Sequence, residues 1–110
     1  MRKNARLKTH KRDNCLVDII YSHKGKENAI STRELLRTLE ENGYKTQLDC
    51  IHTLVKKVMF ERHLPICAMT HKGYYWAESK QDLQSCINEL QDKIGGLQER
   101  IDILNSFIHE

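Results

Sequence analysis

The strongest constraint on this chain lies in its last third. There Leu83, Ile87, Leu90, Ile94, Leu97, Ile101, Leu104 and Ile108 follow one another at alternating steps of four and three. That period keeps one narrow seam on one side of an α-helix and so predicts a long helix built to pair with another helix. All four d positions are Leu and all four a positions are Ile, the combination that favours parallel two-stranded coiled coils. Ser79-Lys80-Gln81-Asp82 supplies an N-cap for it. Gly95 and Gly96 fall at b and c, off the seam, where each costs roughly 1 kcal/mol relative to Ala and can bend the helix. Ile103 and Phe107 widen the stripe near its end, so the final turns are expected to meet a third surface. Folding of the whole helix back onto its own chain is the competing reading.

Ahead of the seam the chain reads as a small domain. Leu16, Ile19 and Ile20 form one apolar face of a first helix over about residues 5–23. Residues 22–28 have turn chemistry and read as a loop. Ser31-Thr32-Arg33-Glu34 is a capping box, opening a helix that buries Leu35, Leu36 and Leu39 and stops at Asn42-Gly43. Thr46-Gln47-Leu48-Asp49 is a second capping arrangement, followed by a stripe of Leu48, Ile51, Val55 and Val58 through about residue 61. Two short helices joined by a Gly turn make the helix-turn-helix pattern. Pro65 then ends helical structure, and 66–69 and 74–77 are β-prone runs around a Thr70-His71-Lys72-Gly73 turn, a hairpin. The expected fold is mainly α with a small β-hairpin: a winged helix-turn-helix domain over 1–78 and a coiled-coil helix over 79–110.

Charge is uneven. Residues 1–26 carry a net +6, residues 27–43 carry −2, residues 44–72 carry +3 and residues 73–110 carry −4. Basic charge on the first and middle segments suits a polyanion at one end of the molecule. No apolar run approaches the ~20 residues that span a bilayer, so no membrane partner is expected. The basic start leads into no apolar stretch, which argues against a secretory signal and for a cytoplasmic protein. Cys15, Cys50, Cys67 and Cys86 include no C-x-x-C pair and read as free thiols.

Three phrases, Lys24-Gly25-Lys26-Glu27-Asn28-Ala29-Ile30, Leu64-Pro65-Ile66-Cys67 and Lys72-Gly73-Tyr74-Tyr75-Trp76-Ala77-Glu78-Ser79, resemble small prophage-encoded winged helix-turn-helix proteins of Gram-positive bacteria. These are similar in architecture to the DNA-binding domain of the biotin-operon repressor. The resemblance covers about residues 15–105 and implies a DNA-binding regulator of phage or prophage derivation.

With the third helix buried on its Leu/Ile/Val stripe, its other face carries Thr46, Asp49, Cys50, Thr53, Lys56, Lys57 and Phe60, with Lys45 and His52 at one edge. Thr46 or Gln47 would meet base edges, while Lys45, Lys56 and Lys57 suit phosphates. His71 and Lys72 at the hairpin tip add backbone or minor-groove contacts, as would Arg2, Lys3, Arg6, Lys8, Lys11 and Arg12. Asp49 is awkward beside DNA unless it accepts from cytosine, and Phe60 suits a protein contact. The expected partners are therefore double-stranded DNA and a second copy of the chain. The alternative is a phage inhibitor that binds a host nuclease or polymerase. Cys50, His52, His63, Cys67 and His71 lack the paired spacing of a zinc site, and no cofactor is expected. No phosphate loop, carboxylate pair or nucleophile motif is present, and Cys50 and His52, two apart on a helix, do not face each other. The chain does not read as an enzyme.

Overall fold

A computed structural model describes residues 2–109, with side chains from residue 10 onwards. Helix α1 (Arg2–Tyr21) is followed by a 3-10 turn at Lys26–Asn28, helices α2 (Thr32–Glu41) and α3 (Leu48–Arg62), strands β1 (Ile66–Met69) and β2 (Gly73–Trp76), and helix α4 (Lys80–Ile108). The protein is thus mainly helical, with one two-stranded antiparallel hairpin and a long C-terminal helix. Among the described residues, no helix is long and apolar enough to cross a membrane. The side chains of Arg2, Lys3, Arg6 and Lys8 lie outside the described ones.

The core is assembled from one stripe per element. Leu16 and Ile20 of α1, Leu35 and Leu39 of α2, and Ile51, Leu54, Val55 and Val58 of α3 close over Ile30, Ile66 and Tyr74. Ile19 and Leu36, expected inside, are half-buried at its margin. Leu54 completes the α3 stripe, because buried residues at 51, 54, 55 and 58 cover one helical face.

Local chemistry sets the α2 boundaries as expected. The Ser31 hydroxyl accepts from the Glu34 N–H at 3.2 Å, and Gly43, at φ +89°, takes the left-handed position after the Asn42 C-cap. The α3 start differs. The N-cap is Gln47, not Thr46, and makes no side-chain capping bond. Asp49 then lies in the first turn, where its negative charge complements the helix dipole. Leu48, expected in the core, is the first residue of α3 and is 41% exposed.

The hairpin is held on three sides. Ile66 and Tyr74 face the helical core, whereas Tyr75 donates its hydroxyl to the Asp82 carbonyl of α4 at 3.4 Å. Burial pushes the neighbouring Cys67 thiol up to about 12, with Cys86 of α4 as its near neighbour. Residues 23–30 pair along β2: Ile30 and Tyr74 exchange both backbone bonds, at 2.8 and 2.9 Å, and Trp76 N–H donates to the His23 carbonyl at 2.8 Å. The segment read as a loop is irregular, with a 3-10 turn at its centre, but isolated bridges at Lys24 and Ile30 fasten it and the residues that follow to β2. The tip is also shorter than expected, since Gly73 already belongs to β2 and His71 takes φ +69°.

Helix α4 is unbroken through Gly95 and Gly96. Its 29 residues span about 43 Å. Asp82, Ser85, Cys86 and Glu89 are partly covered where the helix crosses the hairpin. Every seam residue is exposed, from Leu83 at 39% to Ile108 at 74%, so the helix does not fold back on its own chain. Ile103 and Phe107 are likewise exposed in the single chain.

Candidate nucleic-acid interface

The N-terminal turns of α2 and α3, the hairpin tip and one residue of α4 enclose an open cleft of about 610 Å³. Each wall has a local cause. The Ser31 cap fixes where α2 begins and so brings Arg33 to the rim. Leu48 forms part of the floor because α3 starts there, ahead of its buried stripe. His52, one turn further, hydrogen-bonds through Nδ1 with the Tyr74 hydroxyl at 3.1 Å, tying α3 to β2. Burial raises the Tyr74 phenol above its ordinary value, so this hydroxyl stays neutral.

The hairpin tip is tied down from the other side. Glu89 of α4 accepts from the Thr70 N–H at 3.0 Å and from its hydroxyl at 2.6 Å. Those bonds hold the Glu89 carboxyl below its usual range, with Lys93 and Lys26 adding to the effect. The same docking brings Lys93 to the cleft, four residues from Glu89 and 4.0 Å from it. His71 and Lys72 line the cleft from the turn itself. Arg33, His71, Lys72 and Lys93 thus surround an apolar patch of Leu48, Ala68 and Met69.

The residues expected from sequence divide into groups. His71 and Lys72 line this cleft. Lys45, Gln47, Asp49, Thr53 and Lys56 are exposed along or just before α3, and Thr46 is half-buried. Lys57 is exposed as well, but its ammonium also lies 3.7 Å from Asp13 of α1, a carboxylate only 5% exposed as a residue and also 3.4 Å from Arg12. Its charge is engaged in holding α3 to α1. Phe60 is 72% exposed on the solvent face of α3, towards the end away from the cleft.

Sequence reading missed Arg33, Leu48 and Lys93, and left His52 at the edge. The capping box already put Arg33 in an exposed first turn. Lys93 had no local signal, because only the crossing of α4 over β1 carries it there.

No family model, curated protein or solved structure matches this chain. Among the described residues, no group of three His, Cys, Asp or Glu side chains is arranged to hold a metal ion.

Proposed function

We propose that the chain is a winged helix-turn-helix module that binds double-stranded DNA as a homodimer and serves as a transcriptional regulator. The observation that carries the reading is the cleft between the start of α3 and the hairpin tip, ringed by Arg33, His71, Lys72 and Lys93. A helix N-terminus beside a basic hairpin suits a duplex, with the first turns of α3 in the major groove and the hairpin on the backbone. The order of three helices followed by a hairpin, with Ile30 paired to β2, supports the winged assignment. Lys45, Lys56 and Lys72 suit phosphates, Gln47 and Thr53 suit base edges, and Leu48 suits a thymine methyl. The exposed seam of α4 supports pairing of two such modules. A phage or prophage setting rests on the resemblance of residues 15–105 alone.

Fluorescence anisotropy with a labelled random duplex tests the binding. Affinity is expected to fall with salt at a slope of about 0.9 per phosphate contacted. Arg33→Ala and Lys72→Ala should each lower both affinity and slope. A wild-type chain that leaves the duplex unbound at low salt refutes the reading.

The exposed Phe60 favours a second reading, in which the α3 face docks on a host protein. Phe60→Ser would then abolish a nuclease-resistant stoichiometric complex while leaving duplex affinity untouched.

A further inference from the structure

We infer that the exposed seam of α4 is covered by a second copy of this chain lying parallel and in register. The inference rests on the homodimer proposed above and specifies its geometry. Three observations carry it. The seam residues remain 39–74% exposed along an uninterrupted helix of 29 residues, and none packs into the core of its own domain. The domain meets α4 through c, f and g positions in its first turns, namely Asp82, Ser85, Cys86 and Glu89, so the a, d and e positions stay free for a partner.

The second observation is the complete segregation of Ile to a and Leu to d. Parallel pairing stacks a on a and d on d, so the two sites have different shapes and select different side chains. Antiparallel pairing mixes a with d in every layer and gives such segregation no use.

The third is charge. The g positions are Cys86, Lys93, Arg100 and Phe107, and the e positions are Gln84, Gln91, Gln98 and Asn105. In the parallel arrangement each g residue faces the e residue of the next heptad on the other helix. Lys93 then meets Gln98 of the second copy, and Arg100 meets its Asn105, with no like charges opposed. In the antiparallel arrangement of full overlap g faces g, and Lys93 meets Arg100 of the second copy twice. Like charges at such spacing are unfavourable. Phe107 lies beside a seam layer in either arrangement and does not discriminate between them.

The orientation has a functional consequence. A parallel pair holds both domains at the same end of the coiled coil, side by side. An antiparallel pair separates the two Lys80 residues by roughly 31 residues of helix, about 46 Å.

Small-angle scattering and sedimentation equilibrium on the full chain, wild type and Arg100→Glu, test this. The prediction is a dimer whose domains lie adjacent, with the Arg100→Glu dimer constant within about threefold of wild type, since the introduced carboxylate would still face the neutral Asn105. Antiparallel pairing would give a two-lobed distance distribution. In that case Arg100→Glu should tighten the dimer roughly tenfold, because two repulsive pairs become attractive. Either of those results overturns the parallel inference while leaving the homodimer intact. A trimer or larger assembly overturns two-copy pairing, and a monomer at every concentration overturns the homodimer itself.

Discussion

Gly73→Ala is the sharpest test of how the hairpin is attached to the rest of the molecule. Gly73 has φ +115°, and a Cβ built there would lie 1.9 Å from the Ile30 carbonyl oxygen and 2.8 Å from the Ser31 Cα. Both obstacles are backbone, so no side chain can rotate out of the way. The substitution must break the pairing of Ile30 with Tyr74, whose two bonds measure 2.8 and 2.9 Å. At about 1 kcal/mol per bond this costs about 2 kcal/mol. Left-handed strain for alanine adds about 1–2 kcal/mol. The sum, about 3–4 kcal/mol, is a large share of the ~5–15 kcal/mol that a domain possesses. At roughly 4–8 °C per kcal/mol for a domain of this size, the melting temperature should fall by at least about 12 °C. Urea unfolding gives the free energy, and amide exchange at Ile30 and Tyr74 reports the pairing directly. A variant within about 0.5 kcal/mol of wild type, the ordinary spread of neutral substitutions, with both amides still protected, would show that residues 23–30 do not hold the hairpin as described.

Leu90→Ala with Leu97→Ala removes two seam residues that are 53% and 55% exposed in the single chain. In the monomeric full chain, unfolding of the domain should change by less than about 0.5 kcal/mol, while sedimentation should show a dimer weakened at least about a thousandfold, given ~2–5 kcal/mol per buried Leu. Lys56→Ala should reduce the salt slope of duplex binding by about one. Lys57→Met, by contrast, should leave the slope unchanged and lower stability by about 1 kcal/mol, since half-exposed Lys57 pairs with Asp13. Alkaline pH should unfold the wild type progressively. Burial pushes Cys67 up to about 12 from 9.0 and also raises Tyr75 and Tyr74. The folded chain therefore keeps protons that the unfolded chain has released. Stability from Cys67 is intact below about pH 9 and is lost as pH rises towards about 12. A Cys67→Ala urea midpoint that falls less steeply than wild type between about pH 9 and 11 is the expected result.

Much of the fold was legible because its signals are local. The Ser31 and Ser79 caps, the Asn42-Gly43 stop and the Ile/Leu period each act within a few residues, and the helices they define are present. Pairing of residues 23–30 with β2 was not legible, because two isolated bridges, at Lys24 and Ile30, leave no alternating pattern to read. Leu48 fits the period of the α3 stripe, yet it sits ahead of the core because Gln47 caps the helix there. Lys57 looked like its neighbour Lys56, and only the position of α1 distinguishes them by bringing Asp13 alongside. The cleft was half legible. His71 and Lys72 follow from the hairpin, whereas Lys93 depends on how α4 crosses β1, a long-range contact that spacing cannot reveal.

Selection of bound duplexes from a random pool tests the central claim most directly, because it reads DNA binding and symmetry together. A dimer of side-by-side modules should enrich a palindromic site with half-sites separated by about one helical turn or a multiple of it. Enrichment of no sequence, from a wild-type chain that also leaves the unselected pool unbound at low salt, would contradict it.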